Sequence, residues 1–215
     1  MWCIGKINEE YRKRMYALIA LYAQPYNPLH PVVCCDEKSK QLLGNIRKII
    51  YGKIRKEDYE YKRNGTRNIF VAVEPLAGTR HVRVTGRRTK IDFAEYIREL
   101  IDTQYTDAEK IHLVLDNLNT HFPKSFFETF PKAEAERILN KIEFHYTPKH
   151  ASWLNMAEIE IGIMDRQCLN RRIPTEQEMI TQLQIWQNYR NDKHAKITWT
   201  FSKHDADDKL GKYYI

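Results

Sequence analysis

Two aspartates stand where apolar runs give out. Pro31-Val-Val-Cys-Cys-Asp36 and Lys110-Ile-His-Leu-Val-Leu-Asp116 are each a short hydrophobic stretch closed by a carboxylate, the pattern of a strand buried on both faces that runs out at its acid. In open α/β sheets ligands bind beyond such strand ends. Taken singly, either residue also fits a turn-forming aspartate. As a pair on neighbouring strands they imply more, because two carboxylates a few ångströms apart repel and are usually held by a shared proton or a divalent cation. A third oxygen ligand is expected from Tyr146-Thr-Pro-Lys-His-Ala-Ser-Trp-Leu-Asn-Met-Ala-Glu158. Asn155-x-x-Glu158 also has the shape of a helix N-terminal capping pair. Helix phase discriminates: the stripes Met156/Ile159/Ile163 and Ala157/Ile161/Met164/Cys168 are apolar, and Glu158 has Gly162 one turn on, leaving room beside the carboxylate. Glu160 lies about 200° round the helix and faces elsewhere.

The composition excludes several classes of protein. The 215 residues are 42% hydrophobic and 29% charged, within the globular range. No apolar run approaches the roughly 18 residues of a membrane span, and the charged start, Met1–Arg14, lacks the apolar segment of a signal peptide. Cys3, Cys34, Cys35 and Cys168 form no zinc-spaced set, so reduced, buried thiols in a reducing compartment are expected. The net charge of +7 is concentrated in two stretches. Residues 45–67 hold eight Lys/Arg against three acids, and residues 79–90 hold five and no acid. Local fields of this kind attract polyanions, although a solvated basic face gives the same count.

The elements that must position the acids follow from periodicity. Glu9–Ala23 reads as an amphipathic helix stopped by Pro25, Pro28 and Pro31. Residues 38–64 are polar and without clear period, and read as an excursion closed by the turn dipeptide Asn64-Gly65. Ile69–Val73 and the Val82/Val84 segment are strands around a hairpin at 75–78. Thr89-Lys-Ile-Asp92 opens a helix with capping-box spacing. Strand 110–116, helix Lys124–Phe130, strand Ile142–Tyr146, and helices 155–170, 175–191 and 203–213 complete the order. Clustered strands followed by strand-helix alternation predict one mixed sheet covered on both faces. This order fits an α/β, ribonuclease H-like fold, a mixed five-stranded sheet flanked by helices. Its first and fourth strands are neighbours, which would bring Asp36 and Asp116 together.

Several longer blocks carry a resemblance. Trp2-Cys-Ile, Tyr22-Ala-Gln-Pro-Tyr-Asn-Pro, Pro31-Val-Val-Cys-Cys-Asp-Glu37, Gln41-Leu-Leu-Gly44, Tyr59-Glu-Tyr-Lys-Arg-Asn-Gly-Thr66, Glu74-Pro-Leu-Ala-Gly78, Asp116-Asn-Leu-Asn-Thr-His121 and the stretch 146–160 resemble the bacterial insertion-sequence branch of the mariner superfamily of DDE transposases. The similarity covers nearly the whole chain. It implies a catalytic domain that cleaves DNA at transposon ends and transfers the strand into target DNA, with two Mg²⁺ ions, Mn²⁺ substituting. By the family pattern Asp36, Asp116 and Glu158 are the catalytic, metal-binding triad. Insertion at TA is implied by resemblance alone. Relatives carry helix-turn-helix modules before Trp-Cys-Ile, whereas here Met1 alone precedes it, so the chain resembles a catalytic half.

The domain reading that follows is a linker helix and Pro-rich connector over 1–30, the end of a DNA-binding region, then a catalytic domain over 31–200 and a C-terminal helix over 201–215. DNA is the expected partner, with no membrane; a homodimer and a separate N-terminal helix-turn-helix portion are compatible with the resemblance. The expected location is the bacterial cytoplasm, at the nucleoid. Lys149 is the first phosphate contact to test, with His150, Arg87 and Arg88 beside it. His121 and His150 fit DNA contact or ligand orientation, and equally a solvent-facing or structural histidine. His112 and His145 are expected to pack or hydrogen-bond within strands. Trp153 fits a base-stacking or a core role. Two other readings share these residues: a different ribonuclease H-fold metal nuclease that cuts without joining, and a non-enzymatic DNA-binding remnant.

Overall fold

Strand β1 (Val32–Asn45) changes character along its length. Val33 to Asp36 are buried in succession, whereas from Glu37 onward burial is intermittent, with Leu42 and Gly44 inside. The cause is its neighbours in the five-stranded sheet, whose order is β3-β2-β1-β4-β5. The first part of β1 pairs in parallel with β4 (Ile111–Leu115), and from Cys34 to Asn45 it runs antiparallel to β2 (Tyr61–Glu74). Beyond Asp36 the hairpin continues without β4 beside it. β3 (Thr79–Thr85) pairs antiparallel with β2, and β5 (Ile142–Tyr146) in parallel with β4. The computed structural model describes residues 6–47 and 59–215.

The polar stretch read as an excursion is therefore partly strand, since 38–45 belong to β1 and 61–64 to β2; residues 48–58, with Lys48, Lys53, Arg55 and Lys56 of the basic segment, lie outside the described residues. Asn64-Gly65 is not the turn expected. The ladder slips between Gln41 and Leu43, setting Asn64 and Gly65 opposite Leu42, and Gly65 has φ +99°. That is a bulge, and only glycine takes this φ without strain.

Helices cover both faces. On one side α2 (Lys90–Thr103), α3 (Lys124–Thr129) and α4 (Lys132–Asn140) pack Phe93, Tyr96, Ile97, Phe126 and Ile138 against Val33, Cys35, Leu113 and Leu115. The capping box at Thr89/Asp92 forms as its spacing predicts. Helix α4 was not expected; it starts after Pro131, which cannot continue α3. On the other side lie α1 (Glu9–Tyr22), α5 (Met156–Met164), α6 (Glu176–Asp192) and α7 (Lys203–Leu210). α1 and α7 contribute Met15, Leu18, Ala206 and Leu210 to the same buried cluster as Cys34 and Val114, so the terminal helices are built into the core. Cys34, Cys35 and Cys168 are buried free thiols, while Cys3 lies outside the described residues. No helix among the described residues is long and apolar enough to cross a membrane.

Helix α5 is bolted to the sheet by an ion triad. Glu160, fully buried, lies 3.0 Å from Arg80 Nε on β3 and receives Arg190 of α6 at 2.7 and 3.0 Å. Arg80, counted above in a basic segment, is thus an internal residue. Removing one partner from a buried ion group typically costs about 3–5 kcal/mol, because the remaining charges stay desolvated. Glu160→Ala should therefore lower the melting temperature by roughly 6–20 °C at the roughly 2–4 °C per kcal/mol of a chain this size. Thermal unfolding followed by circular dichroism checks it, and a change within 2 °C of the parent would refute the bolt.

Candidate active site

Asp36 and Asp116 are brought together by register. β1 and β4 pair Val32 with His112, Val33 with Leu113 and Cys34 with Val114. Carried two residues past its last pair, the same register leads to Asp36 and Asp116, and the negative charge of Asp116 acts on Asp36. Asp36 is not at the end of its strand, as the sequence suggested, since β1 runs on to Asn45; what ends beside it is the pairing with β4.

The two carboxylates differ in environment. Asp36 is buried and accepts one hydrogen bond, from Glu37 N–H at 2.7 Å. Burial pushes its pKa up to about 7, with the negative charges of Asp116, Glu158 and Glu37 adding to the rise. Asp116 is also partly desolvated, but its Oδ1 meets His121 Nδ1 at 2.7 Å and accepts from Leu118 N–H at 3.0 Å. With the nearby Arg88 charge, these contacts outweigh burial and hold Asp116 below the ordinary carboxylate range.

His121 is neither solvent-facing nor a free DNA contact. Its ring is buried against Phe93, with centroids 4.6 Å apart, and its Nε2 lies 3.1 Å from Oε1 of Glu37, whose side chain is only 3% exposed. Burial opposes the imidazolium, but the two carboxylates overcome it and raise the pKa to about 9. The result is an Asp116–His121–Glu37 chain, buried at His121 and Glu37 and half-buried at Asp116. Sequence reasoning missed Glu37. Strand alternation sends it to the face opposite Asp36, and only the return of the 116–121 loop gives it a partner.

Glu158 is carried by α5, whose start is docked on β1 by a hydrogen bond from Asn155 Nδ2 to Cys35 O at 2.9 Å. Asn155 caps the helix by accepting from Ala157 N–H at 3.1 Å, while its own amide donates to Ser152 O at 2.7 Å. The reciprocal capping role considered for Glu158 is thus taken by Ser152. Glu158 is exposed, and its charge reaches Asp36. Glu160 is committed to the buried triad.

The proposed phosphate contacts are distributed around this centre. Arg87 and Arg88 are exposed on the turn between β3 and α2, with Arg88 close enough to act on Asp116. Lys149 and His150 are exposed in the turn after β5. That turn is tied to the residue following Asp116, because Asn117 Nδ2 donates to Thr147 O and Arg14 reaches Asn117 Oδ1 at 3.1 Å. Trp153 is 42% exposed, edge-on to Phe201 at 5.3 Å, and is not a core residue.

A family model described as DDE superfamily endonuclease matches residues 31–180, a span that includes all three acids. Among solved structures, the chain is similar to the Mos1 mariner paired-end complex with Mn, at 15% identity and TM-score 0.61 over 91% of this chain and 60% of that one. It is also similar to the Mos1 transposase paired-end complex with left transposon end, at 14% identity and TM-score 0.60 over 99% and 64%. The Mos1 strand transfer complex matches at 16% identity and TM-score 0.60 over 91% and 59%. The present chain therefore spans about three fifths of the length of these structures. They share its ribonuclease H-like fold, the one expected from the element order. No curated protein matches the chain.

The raised Asp36 pKa has a sign that can be measured. Folding favours the protonated carboxyl, so its stabilising contribution is fully present below the ordinary value of 3.8 and is lost as pH rises through about 7. In metal-free protein, Asp36→Asn should be more stable than the parent at pH 8, by on the order of 1–4 kcal/mol, with the advantage gone near pH 4. Mg²⁺ or Mn²⁺ should raise the melting temperature of the parent more than that of the variant. Parallel stability curves for the two proteins from pH 4 to 8 would refute the strained carboxylate.

Proposed function

This chain belongs to the DDE superfamily of endonucleases, and from that membership we propose that it is the catalytic domain of a DNA transposase, cutting phosphodiester bonds at transposon ends and joining the freed strand to target DNA. The observation that carries the reading is the convergence of acids: Asp36 and Asp116 are carried by adjacent parallel segments, and the charges of Asp116 and Glu158 are both felt at Asp36. The paired-end and strand-transfer complexes of Mos1, which share the fold, support DNA as the partner. The quoted sequence blocks support the insertion-sequence branch.

Endonucleases of this family depend on a divalent metal. The donor set fits one: all three candidate ligands are carboxylates, which suit Mg²⁺ or Mn²⁺ over softer metals, and the upward-pushed Asp36 marks negative charge in want of a cation. On this reading Asp36, Asp116 and Glu158 hold two ions. What bound cations supply is charge stabilisation at the scissile phosphate and activation of the attacking oxygen.

The remaining work belongs to side chains. Asp116 is kept anionic and oriented by His121, which Glu37 secures from behind. Arg88 and Arg87 give the approaching phosphate backbone positive charge beside a site of acids. Lys149 and His150 do the same from the turn that Asn117 tethers. Contacts of this kind position DNA without reading its sequence. Glu158, exposed on its helix, leaves that side of the centre open to a strand.

The decisive experiment is a nicking and joining assay on transposon-end DNA in Mg²⁺, with Asp116→Asn as the variant. Cleavage should fall by about a thousandfold or more, because each metal contributes several kcal/mol to the transition state. DNA binding in Ca²⁺, which tolerates irregular coordination but supports little turnover, should persist. Nicking without joining by the parent would favour a nuclease of the same fold. Near-parental nicking and joining by the variant would remove Asp116 from the mechanism.

A further inference from the structure

At the opposite end of β4 from Asp116 lies a second cluster of ligating side chains that the proposed reaction does not use. His112 on β4 and Glu143 on β5 are direct partners in the parallel register, and His145 follows two residues along β5 on the same face. The other face of these strands carries Ile111, Leu113, Leu115, Ile142, Phe144 and Tyr146, packed in or against the core. The polar set therefore occupies one coherent side of the sheet edge. His112 Nδ1 and His145 Nε2 are 3.0 Å apart; His112 Nδ1 lies 3.5 Å from Glu143 Oε2 and His145 Nε2 3.5 Å from Oε1, and one ligating atom from each of the three lies within 4.8 Å of the other two.

Those spacings have a simple meaning. Ligands bound to one Zn²⁺ at about 2.0–2.1 Å are themselves separated by about 3.0–3.5 Å, depending on the angle at the metal. Both imidazoles are largely shielded, at 17% and 19% side-chain exposure, while the carboxylate stands at 52% and borders solvent. A third imidazole, His30, has its ring centroid 6.3 Å from that of His112. In the absence of a cation the two nitrogens can share one proton; a metal ion would displace it and take both lone pairs.

We propose that His112, Glu143 and His145 form a binding site for a transition-metal ion of the zinc class, one that clips edge strand β5 to β4. Two imidazoles and one carboxylate suit Zn²⁺, with a fourth position left for water or a further ligand. The site is separate from the acidic centre. His112 precedes Asp116 by four residues of extended chain, about 13 Å. Its nitrogen donors also select a different metal from the all-oxygen set, since Mg²⁺ does not favour imidazole.

The test uses the full chain stripped of metal and titrated with Zn²⁺ in excess Mg²⁺, which occupies oxygen-only sites. The expected result is a single equivalent of Zn²⁺ bound at micromolar affinity or tighter. Replacing it with Co²⁺ should give the intense visible bands of a low-coordinate, nitrogen-ligated ion. His112→Ala and His145→Ala should each weaken Zn²⁺ binding by about tenfold or more, whereas Asp116→Asn should leave it unchanged. Where a histidine variant does not fold, diethyl pyrocarbonate labelling of the parent supplies the answer: Zn²⁺ should protect His112 and His145 and leave exposed His204 reactive. Absence of Zn²⁺ binding, binding lost in Asp116→Asn but kept in His145→Ala, or equal labelling with and without Zn²⁺ would overturn the site. None of these outcomes bears on nicking and joining, so the two proposals fail separately.

Discussion

The parallel pairing of β1 with β4 is the constraint from which the rest of the site follows. A parallel register cannot be made by a hairpin, so the chain must leave β1, build the β2–β3 hairpin and α2, and return. The return sets two like charges side by side, an arrangement that opposes folding unless something offsets it. The surrounding contacts divide that task. Asn155 fastens α5 to the carbonyl of Cys35, immediately before the first acid, and Asn117 fastens the following loop immediately after the second. Positions next to the acids thus hold the segments that carry them.

The repulsion is resolved unequally. Asp116 has a buried imidazolium at hydrogen-bond distance and a backbone amide, so it stays charged. Asp36 has one backbone donor and three negative neighbours, so it resists ionisation. An unequal pair of this kind is what a cation can exploit, because binding recovers charge–charge energy at the reluctant carboxylate while the other is already in its binding form. The second nitrogen of His121 faces Glu37, which fixes the ring with its other nitrogen on Asp116.

What could be read from residue order was what apolar patterning controls. Continuous hydrophobic runs located β4 and the buried half of β1, and the 3.6-residue period located α1 and α2. The outer half of β1 was illegible because Glu37–Gln41 is polar and its pairing with β2 lies beyond β4, so that Leu42 alone of Glu37–Leu43 enters a core cluster. The Asn64-Gly65 dipeptide is turn chemistry, but the same positive φ also serves a bulge, and only the register distinguishes them. Arg80 illustrates the limit of charge counting. It belongs to a run of basic residues, yet alternation along β3 turns it inward to Glu160 while Arg87 and Arg88, past the strand end, stay outside. Glu37 and His121 could not be matched in advance, because their contact spans 84 residues and depends on how one loop turns back under the sheet.

The two acids of α5 show how stability and chemistry can be separated on a single helix. Glu158 and Glu160 differ by two positions, which in an α-helix places them on nearly opposite sides. Glu160 lies inside with two guanidinium groups, and removing it would strand both. Glu158 lies outside, and the residue that would limit its movement one turn on is a glycine whose missing Cβ would meet only the tip of Arg166, at 3.7 Å. An anchor must be rigid, and its charges must be matched within the protein. A ligand for an exchanging cation must be anionic, unspent and able to adjust. On the proposed assignment of Glu158 as a ligand, the fold meets both demands by using the buried glutamate to fix the helix in place, so that the exposed one can stay uncommitted at the edge of the acidic centre.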